Sequence, residues 1–124
     1  MVVMICPCGS GKNYASCCEV YISGTPAPTA EALMRSRYTA FVVEDEAYLL
    51  ETWDPRTRPP KVVFEPEITW TGLDILKTVK GNVDDTMGMV HFRAHFKTSD
   101  GQGTQEERSK FLRPESGAPW IYVD

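Results

Sequence analysis

The sequence has no apolar run long enough to cross a membrane, and its two longest runs are residues 1–6 and 40–43. A membrane-spanning helix needs roughly 18 or more consecutive apolar residues, so no membrane span is predicted. The first five residues also have neither the basic start nor the cleavage site of a secretory signal peptide. These absences predict a cytoplasmic protein that does not associate with membranes.

The chain also lacks an excess of basic residues, because 13 Lys and Arg stand against 17 Asp and Glu, for a formal net charge of −4. A dedicated nucleic-acid binder normally presents a basic face, so nucleic acid is not the expected partner. There is no internal repeat and no low-complexity tract. With 124 residues, of which 42% are hydrophobic, the composition is that of one ordinary globular domain with a small appendage.

Cysteine is absent from residues 19–124, and all four cysteines fall near the amino terminus, at Cys6, Cys8, Cys17 and Cys18. Disulfides that stabilise a small domain are distributed so that they close long loops. A metal site instead gathers its ligands, and zinc takes four thiolates in a tetrahedron. The four cysteines therefore predict a structural zinc site with no open position for water. Iron is the alternative ion, and free or disulfide-bonded cysteines are the alternative state.

The cysteine segment is too poor in apolar residues to fold alone, so the metal must order it. We therefore divide the chain into a zinc knuckle over residues 1–24 and a body over residues 25–124, which begins with the proline-containing spacer 25–28. Because the two parts are separate, chelation is expected to unfold residues 1–24 and to leave the body folded.

The body begins with helical spacing and continues with strand patterning. Thr29 is the predicted N-cap of a first helix whose apolar stripe runs from Leu33 to Phe41. A second, short helix is predicted over residues 47–53. Strands are predicted over residues 68–80, 86–97, 104–113 and 120–123, with a bulge near Gly72. Helices followed by an antiparallel meander predict an α+β fold in which the sheet curls over the first helix.

The segment from Cys6 to Cys18, Cys-Pro-Cys-Gly-Ser-Gly-Lys-Asn-Tyr-Ala-Ser-Cys-Cys, resembles the SEC-C zinc motif, known from the carboxyl-terminal tail of the SecA translocation motor. Residues 28–41, 52–55, 57–59, 107–111 and 120–124 resemble the YchJ family. The resemblance covers essentially the whole chain. It implies a cystatin-like cone of curved antiparallel sheet around a long helix, of the nuclear-transport-factor-two type, behind a zinc knuckle. It assigns no reaction, and the SEC-C motif implies a protein partner.

Four residues of the body are candidates for an interior site. Arg37 lies beside the apolar stripe, where it either clamps an anionic ligand inside the cone or, as we prefer, forms a buried ion pair with Glu107. Tyr38 and Trp53 belong to a set of aromatic residues that either line a cavity or fill the core. The core is the preferred interpretation in a domain of this size.

Two further groups are candidates for surface contacts. His91 and His95 share a strand face roughly 13 Å apart, which is too far for one metal ion. Each is either a general acid or base, or part of a solvated sheet surface, which we prefer. Arg58 lies with Arg56 and Lys61 in the one local basic segment that the sequence shows, a candidate phosphate or partner contact that we interpret as a solvated loop.

These observations predict a non-catalytic binding module that contains structural zinc and binds a protein partner. One alternative is a small enzyme or a small-molecule binder that uses the interior of the cone, with the side chains of Arg37, Tyr38, His91, His95 and Glu107 as the candidate groups. A further alternative is weak association with nucleic acid or the ribosome through the knuckle.

Overall fold

The computed structural model describes residues 4–124. The predicted knuckle, residues 1–24, and the apolar run at residues 1–6 therefore lie partly outside the described residues. The described elements are a 3-10 turn at Tyr14–Ser16, the helices α1 (Cys18–Ile22), α2 (Ala30–Val43) and α3 (Glu46–Glu51), and the strands β1 (Thr69–Lys80), β2 (Met87–Thr98), β3 (Gly101–Leu112) and β4 (Ile121–Tyr122). Within residues 4–124, no helix has the length and apolar character that a bilayer crossing requires.

Side-chain caps start both helices of the body. The hydroxyl of Thr29 accepts a hydrogen bond from the backbone N–H of Ala32 at 3.1 Å and so begins α2, which confirms the predicted cap. The carboxylate of Asp45 accepts from the N–H of Tyr48 at 3.0 Å and begins α3. These bonds satisfy amide donors that have no partner inside a helix.

The four strands form one antiparallel meander in the order β1-β2-β3-β4, which confirms the predicted α+β fold. The third strand begins three residues earlier than predicted, because Gly101 already pairs with Thr98 across a two-residue turn. The pairing of β1 with β2 shifts register between Trp70 and Gly72, where a bulge was predicted, and again beyond Ile75. Bulges bend a strand and increase its twist, so they curve the sheet toward α2.

The helix α2 packs against β1 and β2, and the contact begins at a close approach between glycine and alanine. Gly81 follows β1 with φ +76°, and a Cβ on it would lie 2.7 Å from the Cβ of Ala30. The N–H of Ala30 donates to the carbonyl of Gly81 at 3.0 Å. The β1–β2 turn therefore positions the first residue of α2, and only glycine fits at that place.

One continuous core joins the knuckle to the body. Cys6, Cys8 and Cys18 are buried in the same cluster as Leu33 of α2 and Leu73 of β1. The other fully buried large side chains include Leu49, Phe111 and Trp120. The cysteine segment is therefore packed onto the domain and shares its apolar interior.

Candidate metal centre and interior cavity

The four cysteine sulfurs converge at one point. Their Sγ atoms all lie within 4.8 Å of one another, and the side chains of Cys6, Cys8 and Cys18 are buried. The Sγ atoms of Cys8 and Cys17 are 3.7 Å apart, and all four cysteines are free. Four thiolates around zinc at about 2.3 Å stand about 3.8 Å from one another, so the donor set fits a tetrahedral site with four cysteine ligands.

A tight backbone loop brings the first two cysteines to this point. The N–H of Cys6 donates to the carbonyl of Lys12 at 2.8 Å, which closes the loop. Gly9 and Gly11 both have positive φ, near +83° and +82°, a conformation that other residues adopt at a cost. The 3-10 turn then leads into α1 and returns Cys17 and Cys18 to the cluster.

The thiols differ in how readily they ionise. The pKa of Cys8 is lowered to about 4, above all because Cys18 donates a hydrogen bond to it. The pKa of Cys18 is raised, first by the same bond and then by burial, and burial raises the pKa of Cys17. Because the thiolate is the form that binds metal, the cluster already stabilises one such ligand.

Three polar side chains that the sequence analysis did not single out support the cluster. The hydroxyl of Ser10 lies 3.2 Å from the sulfur of Cys17, and that of Thr39, buried on α2, lies 3.8 Å from the sulfur of Cys6. Arg35 donates to the carbonyl oxygen of Cys8 at 2.6 Å. Such outer contacts orient metal ligands. Thr39 and Arg35 could have been recognised from the sequence, because both are polar residues beside the apolar stripe of α2.

The concave side of the sheet encloses a cavity of about 280 Å³. It lies beside α2, which covers β1 and β2, and the inward positions of β3 form its polar wall. The lining side chains are those of Met34, Arg37, Tyr38, Phe41, Trp53, Trp70, Phe92, Ala94, Gln105, Glu107, Ser109 and Tyr122. The sequence indicates this polar wall, because the residues of β3 that face the interior are polar or glycine as far as Phe111.

Arg37 lies at the inner wall of this cavity and is 4% exposed. Its Nη1 atom donates to the carbonyl oxygen of Leu49 at 2.8 Å and to the hydroxyl of Thr52 at 2.7 Å. The guanidinium carbon is 4.9 Å from the ring centre of Trp53 and 4.5 Å from that of Tyr122. Burial lowers the pKa of Arg37 to about 10, so the side chain remains a cation at neutral pH.

The prediction that Arg37 forms a buried ion pair with Glu107 is wrong. Within residues 4–124, Arg37 forms no salt bridge with a carboxylate. Glu107 lies on β3 opposite Phe92 and is exposed, and it accepts a hydrogen bond from the Gln105 amide at 3.2 Å. Because α2 covers β1 and β2, the concave face of β3 is open to solvent and Glu107 stays hydrated at the rim of the cavity.

The structure brings Arg37, Tyr38, Trp53 and Glu107 to this one cavity. Tyr38 is buried, and its ring packs edge-on against Trp70 with 6.2 Å between ring centres. Trp53 is half-buried, and its indole Nε1 is sealed from solvent without a hydrogen-bond partner among residues 4–124. The aromatic set therefore divides between the core, where Trp120 lies, and the cavity wall.

His91 and His95 lie on the opposite, outer face of the sheet, away from the cavity. The Nε2 atom of His91 is 2.8 Å from a carboxylate oxygen of Glu106, which also pairs with Arg93. The Nε2 atom of His95 is 2.7 Å from the carboxylate of Asp74. Each histidine thus has its own acidic neighbour on a surface that faces solvent.

The outer face of the sheet also gathers cations that are scattered in the sequence. Lys77, His91 and Arg108 lie side by side across β1, β2 and β3, and Lys110 follows two residues along β3. The loop with Arg58 was the one basic segment that the sequence showed. Arg58 is exposed there and donates weakly to the carbonyl of Leu50 at 3.4 Å. Strand pairing thus creates a basic surface that linear spacing cannot reveal.

An α+β domain of this topology, preceded by a cluster of four cysteines of which three are buried, is an NTF2-like domain that carries an amino-terminal SEC-C motif. The sequence matches the family models for both parts, the middle NTF2-like domain of YchJ over residues 29–124 and the SEC-C motif over residues 5–19. The chain belongs to the YchJ family, as its motifs predicted.

Relatives extend the match along nearly the whole chain. A UPF0225 protein of Streptomyces avermitilis is 52% identical over 120 residues, which cover 96% of this chain and 81% of that protein. A UPF0225 protein of Streptomyces coelicolor is 49% identical, with 96% and 92% covered. These relatives share both the knuckle and the body.

Two solved structures of SEC-C motif proteins have the same fold. The crystal structure of one from Psychrobacter arcticus is 28% identical with a TM-score of 0.77, covering 98% of this chain and 81% of that one. The solution structure of one from Rhodopseudomonas palustris is 31% identical with a TM-score of 0.80, covering 98% and 96%. The cystatin-like cone expected from the resemblance is therefore the fold of this chain.

Proposed function

We propose that this chain is a non-catalytic binding adaptor whose amino-terminal segment is fixed by one structural zinc ion. The observation that supports it is the convergence of four cysteine sulfurs within 4.8 Å, three of them on buried side chains. Four thiolates complete the coordination of zinc and leave no position for a reactive water. We also propose a cytoplasmic location, because a reducing compartment keeps such thiols free.

Elemental analysis of protein purified under reducing conditions tests the metal. The expected result is one zinc per chain, whereas iron in the same site would absorb visible light. Cys17→Ser should lose the ion, and Ser16→Ala is the matched control because Ser16 is exposed and, in the part of the chain that the structure describes, its hydroxyl bonds only to Asn13. Protein that carries no metal while residues 4–24 stay ordered contradicts the proposal.

The interior cavity supports ligand binding as a second function. Its volume of about 280 Å³ is near the lower end for small-molecule sites. Among residues 4–124, the titratable side chains in its wall form no hydrogen-bonded pair with one another, which favours a binder over an enzyme. Soaking or titration with small apolar probes, read by the indole NMR signals of Trp53 and Trp70, tests whether the cavity accepts a guest.

A protein partner remains part of the proposal, and the outer sheet face supports one that carries an acidic segment. Lys77, Arg108 and Lys110 are exposed there beside His91, and opposite charges steer and orient binding partners. The probe is poly-L-glutamate, whose binding should weaken with salt and be lost in the Lys77→Glu/Arg108→Glu variant but kept in Arg58→Glu/Lys61→Glu, which changes two exposed residues of the loop. Tighter binding of single-stranded RNA than of the peptide would favour the nucleic-acid alternative instead.

A further inference from the structure

The wall of the cavity holds hydrogen-bond donors that the protein does not use. Only Nη1 of Arg37 donates to a protein atom within residues 4–124, which leaves the N–H groups of Nε and Nη2. The indole N–H of Trp53, whose ring lies 4.9 Å from the same guanidinium, is also unpaired among these residues, but it is sealed and out of reach of a guest in the cavity. Among residues 4–124 no carboxylate pairs with the buried charge of Arg37, and an unpaired buried charge is costly, so this corner of the cavity lacks an acceptor with negative charge.

We propose that the cavity binds a small aromatic monocarboxylic acid, with the ligand carboxylate held by the Nε and Nη2 groups of Arg37. The inference rests on the ligand-binding function proposed above and names the class of its ligand. A planar carboxylate matches the fork of guanidinium donors in geometry and in charge. Neutral acceptors would leave the buried charge uncompensated.

The remainder of the wall selects the body of the ligand. Tyr38, Trp70 and Phe92 surround the space beyond Arg37 with aromatic rings, and rings pack well against other rings in offset or edge-on geometry. The cavity volume of about 280 Å³ suits one or two fused rings. The lining therefore favours an aryl acid over a sugar or a nucleotide.

The rim of the cavity restricts the number of charges. Glu107 is exposed at the entrance and lines the same space as Arg37. A second carboxylate on the ligand would approach this like charge, which disfavours binding. A monoanion satisfies Arg37 without meeting that repulsion.

Arg37 also has a structural contact, and the test must separate the two roles. Its Nη1 bond to Leu49 caps the carboxyl end of α3, where a cation is favourable. That contact uses one nitrogen and leaves Nε and Nη2 without a protein acceptor within residues 4–124. A residue that acted only as a cap would give the protein no preference between a charged and a neutral guest.

Isothermal titration of the zinc-loaded full chain with 2-naphthoate and with its neutral analogue 2-naphthylmethanol makes this comparison. We expect naphthoate to bind about 10- to 100-fold more tightly, the effect of a charge-assisted hydrogen bond. In NMR spectra the indole signals of Trp53 and Trp70 should shift. That of Trp120 should not, because its Nε1 donates to Pro28 outside the cavity.

Variants assign the preference to the named groups. Arg37→Met should remove the preference for naphthoate, whereas Arg58→Met, an equal change in charge on an exposed loop, should keep it. Glu107→Gln should improve binding of 2,6-naphthalenedicarboxylate and should fold normally, since Glu107 is exposed. The Glu107→Gln variant therefore keeps the proposal testable if Arg37→Met fails to fold.

Each outcome of the comparison has a distinct meaning. Equal binding of acid and alcohol overturns the inference and leaves a ligand-binding cavity. Binding of neither overturns the cavity function as well, and shifts at Trp120 alone place the guest elsewhere, against the inference. None of these results bears on zinc, which is measured in the same samples by elemental analysis.

Discussion

The guanidinium of Arg35 donates a hydrogen bond of 2.6 Å to the backbone carbonyl oxygen of Cys8, 27 positions away in the chain. The bond ties α2 of the body to the loop that carries the first two cysteines. The buried cysteines also share the core that contains Leu33 and Leu73. The knuckle and the body are therefore in direct contact, and we expect the stability of one to depend on the other.

Removal of the metal should consequently destabilise the whole domain. A structural zinc site contributes several kcal/mol or more to folding, and each kcal/mol shifts the Tm of a domain of this size by about 4 °C. We expect chelation to lower the Tm by more than about 10 °C in a single transition, followed by circular dichroism. Intact body signals at an unchanged Tm, with only residues 4–24 unfolded, would support the independent knuckle expected from the sequence.

Loss of the Arg35 side chain should weaken the same coupling. Arg35→Met removes a charge-assisted hydrogen bond to a carbonyl, which costs about 1.5–3 kcal/mol in the free energy of unfolding. The matched control is Glu31→Gln, which removes the ion pair one turn away in α2, worth about 0.3–0.5 kcal/mol, and a first-turn negative charge that the helix dipole favours by about 0.3–1 kcal/mol. Urea unfolding measures both, and equal losses would show that Arg35 acts through Glu31 alone.

Local chemistry made much of this molecule predictable from its sequence. The Thr29 cap, the strand predicted over residues 86–97 and the bulge near Gly72 each depend on neighbouring residues, and the structure confirms all three, with the strand as β2. The four-cysteine cluster was predictable because a loop of a dozen residues limits where its sulfurs can go. In each case the decisive interactions lie within a few positions of one another.

Interactions between distant elements were not predictable in the same way. The missing ion pair between Arg37 and Glu107 depends on which strands α2 covers. The row of Lys77, His91 and Arg108 depends on the register of three strands. Neither quantity is set by spacing along the chain, so the sequence showed neither the open side of the cavity nor the basic outer face.

The pKa of Glu106 on that outer face should depend on its two basic neighbours. The hydrogen bond from His91, and then that from Arg93, lower the pKa of Glu106 below its ordinary value. A carboxylate with a depressed pKa in the folded state contributes stability above the ordinary pKa of glutamate, which is lost as the pH falls through the folded value. His91→Leu should raise the pKa of Glu106 in a carbon-13 NMR titration. His95→Leu, which instead removes a contact to Asp74, should not, and an unchanged midpoint in His91→Leu would contradict this assignment.

Two glycines of the cysteine loop are a matched pair of positions at which the contact between the knuckle and the sheet can be tested. Gly9 and Gly11 have nearly equal φ values of +83° and +82°, so alanine at either position adopts a left-handed conformation that costs roughly 1–2 kcal/mol. At Gly9 the added Cβ would also stand 2.8 Å from the carbonyl oxygen of Leu73 on β1, whereas at Gly11 no atom of the described residues 4–124 lies within 4 Å. Gly9→Ala should therefore lower the free energy of unfolding by about 1–3 kcal/mol more than Gly11→Ala, which is the range that overpacking costs. Gly9→Ala should also weaken zinc binding, because the loop must move away from the sheet. Thermal unfolding and competition with a chelator measure the two effects. Equal losses in the two variants would mean that the loop does not press on β1 in solution, and that the conformation of each glycine alone accounts for its place in the motif.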